Sequence, residues 1–179
     1  AGSDLLFYEG LHGGLVTEKY NVAQHVDLLI GVAPTTNLEW IQKIRRDSAE
    51  RGYMHEEVVS TIVRRMPDYV TYISPQFSRT DVNFQRVPII DTANPFDVQE
   101  IPTLDESLVI VNLRRPEKFT LSIDELRECI QNSFSIKANQ LIIPAAKMVL
   151  AMELLLTPVI KMLVEKDSVV ISPVTTQLG

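Results

Sequence analysis
The sequence predicts an α/β fold, with a mixed, largely parallel sheet flanked by helices. Short unbroken apolar runs, such as Leu5-Leu6-Phe7-Tyr8 and Leu28-Leu29-Ile30, read as strands covered on both faces. Longer segments between such runs carry helical periodicity and helix stop signals. The two kinds of segment alternate along the chain, the order expected when helices cross over a sheet.

Each element has its own signal. Asp4 to Tyr8 reads as a short buried strand, followed by the glycine-rich turn Gly10 to Gly14. Asp27 to Ala33 reads as a second buried strand, and Tyr20 to Val26 is too short to assign. Thr35 or Thr36 can cap a helix that runs to Arg51 and stops at Gly52. The next helix spans His55 to Ile73, with Val58, Val59, Ile62, Val63 and Met66 as its buried stripe and a kink or restart at Pro67. Phe77 to Ile90 is extended or irregular, Thr92 to Pro102 is a loop, and Ser107 to Leu113 is a third strand. Ser122 to Ile130 is helical, Gln140 to Ile143 is a fourth strand, and Ala145 to Glu165 is a long helix. Its apolar residues run nearly all the way round, which predicts cover on both sides.

Composition narrows the function classes. The 179 residues are 45% hydrophobic and 22% charged, as in an ordinary globular protein. A net charge of -6 argues against a nucleic-acid partner, although a local arginine cluster can still serve a small anion. The single cysteine, Cys129, allows no internal disulfide, points to a reducing cytoplasmic setting and reads as a small core residue. Lys147, Glu153 and Lys161 interrupt the most apolar stretch, Leu141 to Val164, which argues against a membrane span.

Three constellations carry possible chemistry. Glu9 closes an apolar run, where α/β sheets place ligands at their carboxyl edge; it either offers a hard oxygen to a metal or opens a solvated turn. Lys43, Asp47 and Arg51 are spaced i, i+4, i+8 and share one helix face, with Arg46 and Glu50 beside them. A solvated, salt-bridged face is the plainer account of that pattern, and a clamp for phosphate groups is the functional one. Arg64 and Arg65 cannot point the same way on a helix, and a surface or subunit-interface role is their plainer reading. His12, His25 and His55 lack metal-type spacing, and no Gly-x4-Gly-Lys-Ser/Thr phosphate loop or Gly-x-Ser-x-Gly elbow occurs.

At Phe7-Tyr8-Glu9-Gly10-Leu11-His12-Gly13, Asn37-Leu38-Glu39-Trp40-Ile41-Gln42-Lys43 and Val82-Asn83-Phe84-Gln85-Arg86-Val87-Pro88 the chain resembles bacterial-type phosphoribulokinases of the phosphoribulokinase/uridine kinase family. Asn94-Pro95-Phe96, Leu150-Ala151-Met152-Glu153-Leu154 and Thr157-Pro158 extend the resemblance, which is collinear from Asp4 to Val164. It implies a kinase that uses ATP and Mg2+ to convert ribulose 5-phosphate to ribulose 1,5-bisphosphate for carbon fixation. By the same resemblance Glu9 supports magnesium, and Lys43 and Arg46 act near the transferred phosphoryl group. Asp47 contributes to catalysis, Arg51 serves the sugar phosphate, and Arg64 and Arg65 match an arginine pair, Arg65 tied to allosteric control. Some relatives respond to NADH through arginines whose positions here read as Asn112 and Lys137, a departure from the family pattern.

In the family, the phosphate loop and the base toward the sugar hydroxyl precede the segment matched here. The resulting expectation is the C-terminal portion of a P-loop kinase-like domain over residues 1–165, its N-terminal part absent, with a tail at 166–179, and inactive alone. A sheet shortened in this way predicts an exposed apolar edge and a homo-oligomer. The alternatives are a non-catalytic assembly module derived from the kinase, and a paralogue acting on another sugar phosphate or a nucleoside.

Overall fold
The computed structural model describes residues 5–97 and 100–168, with side chains through residue 165. The first half comprises β1 (Ile30–Pro34), α1 (Thr36–Arg51), α2 (His55–Asp68), a π-helical turn (Tyr69–Ile73), a 3-10 turn (Ser74–Ser78) and β2 (Val82–Pro88). The second half comprises β3 (Ser107–Leu113), α3 (Ile123–Cys129), β4 (Phe134–Lys137), β5 (Gln140–Pro144) and α4 (Met148–Ser168).

The strands form one sheet in the order β1-β2-β3-β5-β4. The sheet is mixed, as expected, but it is not largely parallel. Among the described residues only β1 and β2 run parallel, while β2–β3, β3–β5 and β4–β5 are antiparallel. The reason lies in the connections. A parallel pair needs a long crossover, which α1 and α2 supply between β1 and β2. The segment from β2 to β3 contains no described helix, and β4 turns directly into β5. The strand β4 has no counterpart in the sequence reading, because Phe134-Ser135-Ile136-Lys137 alternates over only four residues.

β3 sits at the centre and its burial alternates strictly. Val109, Val111 and Leu113 point to the same core as Val82 and Phe84 of β2 and Leu141 and Ile143 of β5. α3 brings Ile123 and Leu126 to that core, and α4 brings Ala151, Leu155 and Val159. Each fully buried Val, Leu, Ile or Phe side chain among them contributes about 1.5–3 kcal/mol. Ser122 caps α3 in a capping box, accepting from Glu125 N at 3.3 Å while its own N–H donates to Glu125 Oε2 at 2.8 Å. Gly52 ends α1 in the left-handed region, with φ of 72°, as its stop signal predicts.

Several expectations are corrected. Leu5 to Tyr8 is irregular and exposed rather than a buried strand, since no described strand lies beside it to pair with; Asp4 lies outside the described residues. The second strand is β1, shifted to Ile30–Pro34, and Val32 is exposed because β1 is an edge of the described sheet. Val63 is exposed, because α2 meets α1 through the narrower stripe of Val58 and Ile62. The last helix is covered on one side only, with Val149 and Met162 exposed. Cys129 is exposed, since Leu126 and Ile130 take the inward positions at that end of α3. α4 runs through Ser168, into the proposed tail, and residues 169–179 lie outside the described ones.

Two polar devices lock β1 to β2. Asp81, 2% exposed, accepts from Leu29 N at 2.8 Å and Lys118 Nζ at 2.9 Å, and its N–H donates to Leu29 O at 2.7 Å. Arg115 Nε lies 3.4 Å from its other oxygen, so the buried carboxylate is satisfied from several sides. The second device is the close approach of Gly31 to its sheet partner Asn83, where a Cβ would stand 1.8 Å from Asn83 Oδ1. Asn83 cannot simply swing away, because its Nδ2 donates to Phe77 O and Thr80 Oγ1 donates to its Oδ1, both at 2.8 Å.

Gly31→Ala is therefore expected to lower unfolding free energy by about 1–3 kcal/mol, the range for overpacking. Adding Asn83→Ala to that variant should recover part of the loss. Denaturant titration checks both, and a Gly31→Ala protein as stable as the parent contradicts the packing described.

Candidate phosphate-binding site
The site is built on α1. Leu38, Ile41 and Ile44 advance along the helix in steps of three, and all are buried. The next member of that series is Asp47, which is 4% exposed. A carboxylate in that position must be compensated, because an unpaired buried charge is costly. Three cations do this. Lys43 Nζ donates to Oδ2 at 2.6 Å, and Arg46 Nε and Arg51 Nη1 donate to Oδ1, each at 3.0 Å.

The cluster is asymmetric toward water. The side chains of Lys43, Arg46 and Arg51 are 35%, 48% and 54% exposed, against 6% for Asp47. The cations thus outnumber the carboxylate three to one, and they anchor on it while keeping their outer N–H groups toward solvent. Arg46 bonds Asp47 through Nε, and 48% of its side chain remains exposed. In a chain of net charge -6 this is a local positive patch with preset geometry, suited to phosphate oxygens.

The hydrogen bond from Lys43 is the main influence holding the Asp47 carboxyl below its ordinary value of 3.8, and burial opposes it. Arg46 adds a second hydrogen bond, and both cations add direct charge attraction. Asp47 is therefore ionised across the physiological range. The solvated-face reading of this helix holds for the cations and fails for Asp47.

Neighbouring contacts hold α1 in place. Tyr69, in the π-helical turn, donates its Oη to Glu39 Oε2 at 2.9 Å. Burial, followed by Glu39, pushes the Tyr69 phenol up to about 12, so it remains a donor. Trp40 stacks on Phe96 at 5.3 Å between centroids, and Asn37 Nδ2 donates to Thr92 O at 2.9 Å, fastening the 92–96 loop to α1.

The other predicted residues fall elsewhere. Glu9 is exposed in irregular chain and has no hydrogen bond or ion pair to Lys43, Arg46, Asp47 or Arg51. Arg64 and Arg65 are both exposed on α2, without an ion-pair partner among the described residues. Asn112 lines a cleft of about 330 Å³ with Thr36, Tyr69, Asn83, Gln85 and Gln140, away from the Asp47 cluster, and Lys137 is exposed on β4. Among the described residues no group of three or more His, Cys, Asp or Glu could hold a metal. Glu9 alone could offer a magnesium ion one carboxylate oxygen, which fits an ion that is commonly held by one or two carboxylates together with phosphates and water. No described helix is long and apolar enough to cross a membrane.

Asp47→Asn keeps the shape and removes the charge that gathers the cations. A carboxyl depressed by folding stabilises the fold fully above its unfolded value, and the contribution is lost as pH falls through the folded one. The expected cost at pH 7 is about 1–2 kcal/mol, moderated because the partner cations are half-exposed and screened. The difference from the parent should narrow as pH drops below 3.8. Denaturant titrations across pH check this, and a cost that does not change with pH contradicts it.

The chain is similar to known proteins. The phosphoribulokinase/uridine kinase family matches residues 1–93. The phosphoribulokinase of Xanthobacter flavus is 57% identical over 165 residues, covering 92% of this chain and 56% of that protein. The probable phosphoribulokinase of Escherichia coli K12 is 54% identical over 163 residues, covering 91% and 56%. The solved phosphoribulokinase from Rhodobacter spheroides superimposes with a TM-score of 0.86 at 51% identity, covering 93% of this chain and 59% of that one. The chain thus spans about 56% of the length of the curated relatives it matches. With the family match extending over more than half of its residues and an α/β mixed sheet like that of the solved relative, the chain belongs to the phosphoribulokinase/uridine kinase family.

Proposed function
We propose that this chain supplies the phosphate-positioning part of an ATP-dependent phosphoribulokinase, which transfers the γ-phosphoryl group of ATP to ribulose 5-phosphate. The observation that carries the reading is the buried Asp47 carboxylate holding Lys43, Arg46 and Arg51 in fixed positions with donors left over. The names of the close relatives support it.

In this reading a hydroxyl oxygen of the sugar bonds to the γ-phosphorus as the bond to the bridging β–γ oxygen breaks. ADP leaves, and the hydroxyl proton passes to a base. Phosphoryl transfer of this kind is catalysed by positioning and by charge stabilisation, and such a cluster offers both. Lys43 and Arg46 face the equatorial oxygens of the group in transit. Arg51, the most exposed of the three, holds the phosphate already on the sugar. Asp47 sets the angles of all three cations and keeps them from collapsing onto bulk solvent. Magnesium, when bound, neutralises phosphate charge, and Glu9 would be its protein ligand. The Gly-x4-Gly-Lys-Ser/Thr motif does not occur in these 179 residues, and the family match over residues 1–93 gives no support to the idea that the protein lacks such a loop or is inactive.

The remaining parts of the proposal are a regulatory role for the exposed pair Arg64 and Arg65, a homo-oligomer and a cytoplasmic setting. Phe134 and Ile136, exposed on the edge strand β4, support self-association.

Assay of the complete protein with ATP and ribulose 5-phosphate tests the reading, and a panel of other sugar phosphates and nucleosides tests the substrate. Lys43→Met and Arg46→Met should each lower kcat by about 10²–10³, as for loss of one preorganised electrostatic partner. Arg51→Ala should act mainly on KM for the sugar phosphate. No turnover of ribulose 5-phosphate by the parent protein, or unchanged kcat in both methionine variants, contradicts the assignment.

A further inference from the structure
The segment between α2 and β2 departs from regular helix twice within ten residues. α2 passes at Tyr69 into a single π-helical turn, and that into the 3-10 turn Ser74–Ser78. Such interruptions weaken backbone hydrogen bonding, and they commonly coincide with functional sites. Here they deliver two side chains in different directions. Tyr69 reaches α1 through Glu39, one turn before Lys43. Gln76 reaches the opposite way, into the glycine-rich turn that follows Glu9.

The Gln76 side chain is used completely. It is 7% exposed. Its Oε1 accepts from Gly14 N at 3.0 Å, and its Nε2 donates to Leu11 O at 2.7 Å and to Tyr72 O at 2.6 Å. Two of these bonds cross more than sixty residues of sequence to grip a turn that has little else to hold it. At the turn itself the backbone bond is Leu15 N to His12 O at 3.2 Å, and Leu5 to Leu11 is exposed. The turn also has no slack at Gly14, where a Cβ would meet Leu29 Cδ2 at 3.0 Å. A side-chain amide, with one acceptor and two donors, suits this role. A carboxylate lacks the donors for two carbonyls, and an apolar residue would leave Leu11 O and Gly14 N unpaired.

We propose that Gln76 is a positioning residue: by clamping the Gly10–Gly14 turn to the segment that also braces α1 through Tyr69, it sets where Glu9 stands relative to the Asp47 cluster. The inference rests on the phosphoribulokinase reading for its catalytic consequence and is independent of that reading for its structural one. Glu9 is neither paired nor packed, so its placement depends on the turn it precedes. A misplacement of about 1 Å at such a site can cost on the order of 10² in rate. Because the Asp47 cluster does not touch Gln76, the loss should appear in the step and the metal requirement that use Glu9, while sugar-phosphate binding is spared.

The test uses Gln76→Met in the complete protein. Hydrogen exchange should show the amides of residues 10–14 exchanging at least about tenfold faster in the variant, with α1 unchanged. Binding of Mn2+ in the presence of ATP, followed by the electron paramagnetic resonance of the free ion, should weaken severalfold. With ribulose 5-phosphate, kcat should fall about 10–100-fold and the Mg2+ concentration at half-maximal rate should rise, with KM for the sugar phosphate changing less than about threefold. Should the variant not fold, the parent protein decides: the Gly14 amide must be protected at least about tenfold over that of Gly13, and equal exchange overturns the clamp. Unchanged exchange in residues 10–14 of Gln76→Met overturns it too, and parental Mn2+ binding overturns the positioning role. A parent protein inert toward ribulose 5-phosphate would strike the functional reading instead, and the exchange and Mn2+ measurements would still decide the inference.

Discussion
Asp47 is a carboxylate placed where the helix would otherwise bury an aliphatic side chain, and the candidate site follows from what that placement demands. Removing a carboxylate from water costs several kcal/mol unless it is paired, so the helix must bring compensation within reach. It does so at the positions one turn away on each side, Lys43 and Arg51, and at the adjacent Arg46. The result differs from a surface salt bridge, whose partners keep exchanging with water and contribute little. Here the acid is fixed by packing and the cations are fixed by the acid, while their outer edges remain wet. That division, anchored inside and open outside, is what a phosphate site needs before its ligand arrives.

The rest of the fold keeps α1 where this can work. The parallel β1–β2 pair, reinforced by the Asp81 ion cluster and the tight Gly31–Asn83 contact, sets the base from which α1 departs. Trp40 and Phe96 stack on one flank and Glu39 meets Tyr69 on another, so the helix is braced along the turn that precedes Lys43. The strands β2, β3 and β5 and the helices α3 and α4 carry the larger apolar core, separate from the smaller cluster of Ile44, Val58 and Ile62 that packs α1 on α2. Stability and chemistry are thus drawn from different parts of one sheet.

How much of this was legible in the letters varied with the kind of signal. β3 and α1 were readable to the residue or nearly so, because each combines a strong period with clear stop signals such as Gly52. The direction of the strands was not, since a run such as Leu141-Ile142-Ile143 looks the same in either orientation; the connection decides. Leu5 to Tyr8 has strand composition but no partner strand among the described residues, and propensity yields to pairing. The four cluster residues were identifiable by spacing and by family resemblance, but the burial of Asp47 was missed although Leu38, Ile41 and Ile44 step toward it in threes. Gln76 gave no local signal, because its partners Leu11 and Gly14 are brought to it only by the tertiary fold.

The central claim is that one buried, ionised carboxylate organises the three cations. Its most direct test is a carbon-13 NMR titration of the Asp47 carboxyl in the parent protein and in Lys43→Met. The account predicts a midpoint below 3.8 in the parent and a clear upward move when the lysine is removed, since the Lys43 hydrogen bond is the largest influence on it. A midpoint at or above 3.8, indifferent to the loss of Lys43, would mean that the carboxylate does not hold the cluster together.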